Sequence, residues 1–238
     1  MICRIALVQQ ISPCGELIIH PSVGRDVSGI AQSGAEFDRL LRKAAELRGH
    51  LCIGLPLGLK MASLGLRLLN MEDEKKRDYL VVFVENDRCA VDAIQVATGC
   101  SAGSRRLKVF EYGKSAASFV DGASRKGFRI VTKKDFMARA VELAVEDGII
   151  AEDESVDEGS SLGRQVMMNA FLKMAPEQLF DVQEVTVESA STYLPGGGSV
   201  RGRCWSCGEE VMDGRGVVQQ GKMMCRACAF GAYYRTTV

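Results

Sequence analysis

The C-terminal end of the chain carries the pattern that most constrains its folding, two Cys-x-x-Cys pairs. Cys204 and Cys207 form the first pair, Cys225 and Cys228 form the second, and 17 residues separate them. Two pairs at this spacing are typical of a zinc site with four thiolate ligands, which closes the coordination shell of the metal. A segment of about 35 residues cannot build a sufficient core unaided. We therefore expect this module to fold around a structural zinc ion.

The other cysteines also favour metal or thiol chemistry over disulfide bonds. The 238 residues contain nine cysteines, an odd number that is too sparse for a disulfide scaffold. The apolar run near the N-terminus is only four residues long, too short for the core of a signal peptide. No stretch of 18 apolar residues is present. The sequence therefore predicts a cytoplasmic protein without a membrane span.

The charge balance argues against nucleic acid or a membrane surface as the partner of the whole chain. Lys and Arg together number 30, and so do Asp and Glu, so the formal net charge is zero. Acidic residues are concentrated in residues 146–160, and the tail from Arg201 has a small basic surplus. This surplus and a few aromatic residues are weak grounds for nucleic-acid binding by the zinc module.

Periodicity and turn residues predict four segments: an N-terminal extension of uncertain role (1–33), an α+β domain (34–190), a glycine-rich linker (191–200) and the zinc module (201–238). In the α+β domain, helices are predicted at 34–47, 55–69, 87–98, 133–147 and 161–174. Strands are predicted at 79–84, 107–112, 115–120, 128–132 and 181–188. The Asn86-Asp87 pair is the expected N-cap of the third helix.

The second of these helices has few charged residues to face water. Only Lys60 and Arg67 interrupt its apolar character, so we expect burial on most sides. A domain of this size has little surface with which to cover such a helix completely, and we therefore expect a homodimer. Gly54 and Gly58, four residues apart, indicate close helix packing rather than a nucleotide-binding loop.

A second metal site is predicted in the α+β domain. His50 and Cys52 alternate on a short loop before a helix N-terminus, and Cys89 lies in the first turn of another helix. Three ligands with an open position are typical of a catalytic or exchangeable metal. Cys100 lies about 16 Å from Cys89 if the intervening helix is unbroken, so it can join only from another subunit or after an early helix end. The alternative is that these cysteines are core residues.

Four sequence segments together resemble the FmdE family, which takes its name from a component of molybdenum or tungsten formylmethanofuran dehydrogenase. They are GHLCIGLPLG at 49–58, ENDRCAVDAIQ at 85–95, TGCSAG at 98–103 and YGK at 112–114. The resemblance covers residues 34–190 and implies an α+β fold with helix–strand–helix–three-strand order, related to the C-terminal domain of glyceraldehyde-3-phosphate dehydrogenase. The zinc module resembles the treble-clef, DksA/TraR type of finger.

The resemblance also implies site residues. It supports His50, Cys52 and Cys89 as ligands of a second divalent or transition metal, with Cys100, Asp92 and Lys114 as neighbours, and it points to dimers. The chain departs from the family in one loop. Many members read His-Gly-His-x-Cys-Pro-Gly, whereas this chain has Arg48 in place of the first His and Ile53 in place of the Pro.

Three functions follow from these expectations. The first is a metal-binding accessory protein of a molybdenum or tungsten oxidoreductase. The second is a stand-alone enzyme in which Cys52 or a metal-bound water is the nucleophile, assisted by Lys114 or Asp92. The third is a regulatory module that acts through its zinc finger. No substrate follows from the sequence.

Overall fold

The computed structural model describes residues 34–194, 200–235 and 237. The predicted N-terminal extension and residues 195–199 of the predicted linker lie outside this part of the chain. The chain divides into two compact units between Leu194 and Pro195. The first unit is the α+β domain, and the second contains the four paired cysteines and is called the finger below.

The α-helices described in the α+β domain pack against one side of its sheet, with bounds α1 Ala35–Arg48, α2 Gly54–Leu68, α3 Ala90–Thr98, α4 Phe136–Glu146, α5 Ser161–Lys173 and α6 Pro176–Leu179. The same domain contains the short 3₁₀ helices Glu74–Lys76 and Glu188–Tyr193. In the described segments of the chain, no helix combines the length and apolar character that crossing a membrane requires.

Five strands form a mixed sheet in the order β2-β1-β3-β4-β5. Their bounds are β1 Leu80–Val84, β2 Leu107–Val109, β3 Ala116–Asp121, β4 Lys126–Thr132 and β5 Phe180–Thr186. β1 pairs in parallel with β2, and the other neighbours are antiparallel. The order from α1 to β4 confirms the predicted α+β fold with its helix, strand, helix and three-strand succession.

Helix α2 lies at the centre of the helical layer. Ten of its 15 residues are buried, and they pack with other helices and with alternate sheet residues such as Val82 and Phe119. The chain itself therefore covers most of this helix. This removes the reason for which the sequence predicted a homodimer, because an apolar helix that is buried within one domain leaves no face for a second copy.

Glycines bring α2 unusually close to its neighbours. A Cβ atom on Gly58 would lie 2.4 Å from the carbonyl oxygen of Ala90, the first residue of α3. A Cβ atom on Gly65 would lie 2.3 Å from the ring of Phe119. Only glycine permits these contacts. They confirm the close helix packing that Gly54 and Gly58 predicted, and they hold the N-terminal ends of α2 and α3 together.

The other face of the sheet is covered only in part. Val81, Phe83 and Val120 are buried there against the 3₁₀ helix that ends at Tyr193. Further along this face the rings of Phe83, Phe110 and Tyr112 form a row, with centroids 6.2 Å and 5.7 Å apart. Phe110 and Tyr112 remain exposed. These residues, with Lys114, form the aromatic edge of the domain.

The structure corrects two element boundaries that matter for the site. Asn86 does not cap α3: its side chain accepts a hydrogen bond from the backbone N–H of Arg88, and Cys89 is the N-cap residue. The strand predicted at 107–112 ends at Val109. The chain then turns back, because the N–H groups of Tyr112 and Lys114 both donate to the carbonyl oxygen of Glu85.

The finger consists of two short hairpins and one helix. Their bounds are β6 Gly202–Arg203, β7 Glu210–Val211, β8 Val217–Gln219, β9 Lys222–Met224 and α7 Arg226–Phe230. β6 pairs with β7, and β8 pairs with β9. Cys225 is the N-cap of α7 and accepts a hydrogen bond from the N–H of Cys228. Its sulfur therefore lies at the positive end of that helix.

Candidate metal centres

The finger brings its four predicted ligands together. The sulfur atoms of Cys204, Cys207, Cys225 and Cys228 all lie within 4.8 Å of one another. The Cys207–Cys225 pair is separated by 4.0 Å. Four sulfurs placed tetrahedrally at the usual zinc–sulfur distance of about 2.3 Å lie about 3.8 Å apart. The cluster therefore fits a zinc ion with a closed shell of four thiolates.

The backbone of the finger supports thiolates at this position. The N–H groups of Cys207 and Cys225 lower the pKa of Cys204 to about 6. Gly208 follows the first pair at φ 75°, a left-handed conformation that suits glycine. This turn lets its N–H donate to the carbonyl of Cys204 at 2.9 Å. Such turns are common beside metal-bound cysteines because they direct backbone N–H groups toward sulfur.

The second candidate centre lies where the N-terminal ends of α2 and α3 meet. Cys52 precedes α2 and is buried, whereas Cys89 caps α3 and is half-buried. The two thiols hydrogen-bond each other. A Cβ atom on Gly54 would lie 3.0 Å from Cβ of Cys89. Glycine packing thus joins two cysteines from distant parts of the sequence, and we call them the thiol pair.

The two members of the thiol pair differ in acidity. The hydrogen bond from Cys52, followed by the charge of Arg48, lowers the pKa of Cys89 to about 6 against the opposing effect of burial. The same hydrogen bond and burial raise the pKa of Cys52. One shared proton therefore remains on Cys52, and Cys89 carries the thiolate. The nucleophile that the sequence assigned to Cys52 is accordingly Cys89.

Arg48 is the residue of this centre that the sequence did not reveal as a site residue. It ends α1, and its Nη1 atom lies 3.1 Å from Oδ2 of Asp92. Its charge acts on both Cys52 and Cys89. The sequence marked Arg48 only as a departure from the family pattern. Its charge and its place two residues before His50 were the available signal.

The predicted neighbours of the thiol pair divide between two places. Asp92 lies in the first turn of α3, and its charge acts on Cys89. Lys114 lies toward the aromatic edge: its Nζ is 5.9 Å from the centroid of the Tyr112 ring, and its charge acts on Glu85. The carbonyl oxygen of Lys114 accepts a hydrogen bond from Asn86.

Cys100 is not a neighbour of the thiol pair, which corrects that part of the prediction. Its thiol is fully buried and donates to the carbonyl oxygen of Leu80 at 3.5 Å. Leu80 begins β1, whereas Cys89 follows the other end of that strand, about 13 Å away at 3.3 Å per residue. Helix α3 runs unbroken between the two cysteines. Cys100 is therefore a core residue.

His50 is the least converged of the three ligands predicted for the second metal. Its Nε2 atom is buried, but His50, Cys52 and Cys89 do not form a group with all ligand atoms within 4.8 Å. Within residues 34–194, 200–235 and 237, only the finger cluster reaches that proximity. The thiols meet, and the imidazole is placed by the same loop two residues earlier.

Comparisons with known proteins agree with this division into two units. The profile of the FmdE family, described as "FmdE, Molybdenum formylmethanofuran dehydrogenase operon", matches residues 47–181. The profile of the prokaryotic DksA/TraR C4-type zinc finger matches residues 198–234. The thiol pair lies inside the first range, and the four finger cysteines lie inside the second.

Two individual proteins are similar to this chain. One, from Archaeoglobus fulgidus, is named a probable S-adenosyl-L-methionine-binding protein and is 30% identical over 217 residues, 86% of this chain. The alignment covers 56% of that relative, so the chain spans little more than half of its length. The other is an FmdE-like protein of tungsten formylmethanofuran dehydrogenase from Syntrophus aciditrophicus, known from its crystal structure.

That crystal structure superposes with a TM-score of 0.55 at 18% identity and covers 84% of this chain and 95% of the other. At this identity the likeness concerns the fold alone. The family profile, in contrast, spans more than half of the chain and includes the thiol pair. The chain therefore belongs to the FmdE family and carries a zinc-binding finger of the DksA/TraR C4 type at its C-terminal end.

Proposed function

We propose that this FmdE family member handles a metal at the thiol pair, while the zinc of its finger is structural. The observation that carries the proposal is the contact between Cys52 and Cys89, two thiols brought together at two helix N-termini. Thiolates are the ligands that zinc and other soft transition metals prefer. A core function alone does not require two thiols in contact beside an arginine.

His50 is the proposed third ligand of this metal. It shares the short loop between α1 and α2 with Cys52, and a change of its side-chain rotamer brings an imidazole nitrogen toward the sulfurs. Three protein ligands leave one position for water or for another ligand. We therefore expect the metal of the thiol pair to exchange faster than zinc in the finger. An exchangeable metal suits a carrier or an insertion factor.

The proposed partner is a molybdenum or tungsten oxidoreductase. Two likenesses support it: the family is named for a molybdenum formylmethanofuran dehydrogenase operon, and the similar crystal structure is of an FmdE-like protein of tungsten formylmethanofuran dehydrogenase. A homodimer, for which the family resemblance is now the sole support, and a cytoplasmic location belong to the same proposal. Catalysis by Cys89 and partner binding by the finger are the competing roles.

Metal analysis of full-length variants tests the proposal. The wild-type chain should carry or take up two metal equivalents, whereas Cys52→Ser and Cys89→Ser should each lose one and keep the finger loaded. Cys100→Ser is the matched control, because Cys100 is a buried cysteine outside the thiol pair and should retain both metals. A wild-type chain that takes up no second metal on titration would show that Cys52 and Cys89 are packing residues.

S-adenosyl-L-methionine binding is a second candidate function. The relative from Archaeoglobus fulgidus carries that name, and the aromatic edge supplies a fitting surface. Exposed Phe110 and Tyr112 rings can contact a sulfonium cation or an adenine ring. Titration calorimetry with S-adenosyl-L-methionine should show binding that Tyr112→Ala abolishes. Tyr79→Ala is the control, because Tyr79 is similarly exposed but lies outside the row of rings.

A further inference from the structure

We propose that the thiol pair is also a redox-active dithiol that reacts with low-molecular-weight disulfides, Cys89 being the attacking sulfur and Cys52 the resolving one. The product is a Cys52–Cys89 disulfide that removes two ligands from the proposed metal site. This inference rests on the proposed function only in its consequence for metal. The thiol reaction itself belongs to the metal-free chain.

Geometry assigns the two roles. Cys52 is 8% exposed, and its thiol reaches Cys89 but hardly reaches solvent. Cys89 is more exposed and caps α3, whose nine residues place a positive helix end at its sulfur. The guanidinium of Arg48 adds a positive charge within range of both sulfurs. An incoming disulfide therefore meets Cys89 first, and Cys52 stands in contact behind it.

The reaction balances as two thiol–disulfide exchanges. Cys89 Sγ attacks one sulfur of the small disulfide, a mixed disulfide forms, and the first thiolate leaves. Cys52 then gives up its proton, its Sγ attacks Cys89 Sγ, and the second thiolate leaves. Two cysteine thiols are oxidised, and one small disulfide is reduced to two thiols, which take up the two protons that the cysteines release.

The other cysteines of the described segments are poorly placed for this reaction. Cys100 is fully buried and donates to Leu80 at the far end of β1. The four finger cysteines are committed to zinc, which protects thiolates from oxidation when all four are bound. The thiol pair is thus the expected point of attack in the zinc-loaded protein. Its oxidation and its metal binding exclude each other.

Oxidised glutathione is the probe that tests the proposal. The full-length chain, with zinc in the finger and the thiol pair freed of metal, is exposed to it, and the remaining thiols are alkylated. Trypsin should release Cys52 in peptide 49–60 and Cys89 in peptide 89–105. We expect these two peptides to be disulfide-linked, with the loss of two hydrogen atoms. Because peptide 89–105 also contains Cys100, the assignment uses Cys100→Ser, which should give the same link.

The variants separate the two roles. Cys52→Ser should accumulate a stable glutathione adduct on Cys89, whereas Cys89→Ser should react little at Cys52. A lasting glutathione adduct on the wild-type chain, or a link that runs through Cys100 or a finger cysteine, would overturn the proposal. Metal uptake is measured separately, before and after oxidation. A chain that forms the link but never binds a second metal supports the redox pair and contradicts the proposed metal function.

Discussion

The finger takes its four sulfur ligands from residues 204–228, whereas the thiol pair joins a cysteine before α2 to one after β1. In the finger, two short turns each supply two ligands, and the metal supplies the rest of the folding energy. In the α+β domain, the close approach of α2 and α3 at Gly58 brings two thiols together without a metal. A local site therefore depends on its metal, and a tertiary site depends on the packing around it.

The largest expected effect is the loss of one finger ligand. Cys225→Ser removes a thiolate and the N-cap of α7, and zinc binding contributes about 10 kcal/mol or more to the folding of such modules. We expect hydrogen exchange to show an unprotected finger, with protection of the α+β domain unchanged. Cys100→Ser is the control for handling a buried cysteine. A finger that stays protected without zinc would contradict its dependence on metal.

A crowding substitution at Gly58 should affect the thiol pair and leave the finger intact. Gly58→Ala places a Cβ 2.4 Å from the carbonyl oxygen of Ala90, so the first turn of α3 must move. Overpacking of this kind costs about 1–3 kcal/mol. Urea unfolding should show that loss, and the second metal equivalent should disappear. Gly103→Ala is the control, because its nearest atom is 4.0 Å away; equal effects of both variants would refute the packing account.

The smallest expected effect concerns the charge beside the thiol pair. Arg48 helps to hold the pKa of Cys89 near 6, so alkylation of Cys89 in the metal-free chain should rise with pH around that value. Arg48→Met removes the charge and should move the midpoint upward by about one pH unit. Arg39→Met on the same helix is the control, since Arg39 pairs with Glu36. An unchanged midpoint in Arg48→Met would show that Arg48 does not act on the thiolate.

Sequence patterns were sufficient for the finger and for the order of elements in the α+β domain. The cysteine spacing is local, and the apolar periods of α1 and α2 and the buried run of β1 follow directly from burial. Element ends were less accurate. Asn86 has the residue type of an N-cap, yet its side chain forms a turn with Arg88, and Cys89 takes the N-cap position instead.

The thiol pair could be predicted only in part. His50, Cys52 and Cys89 were identified from helix N-termini and from the family resemblance, but their separations depend on tertiary packing. That packing unites Cys52 with Cys89, adds Arg48 through its bond with Asp92, and leaves Cys100 at the other end of α3. No single segment of the sequence carries this information, because α1, α2 and α3 must first pack together.

Metal release from the wild-type chain tests most directly the claim that the two centres differ. The protein is loaded with zinc, and a chromophoric chelator in excess records the metal that it loses with time. We expect two phases of about one equivalent each, a fast one from the thiol pair and a slow one from the finger, with the fast phase missing in Cys52→Ser. A single slow equivalent in both proteins would contradict a metal site at Cys52 and Cys89.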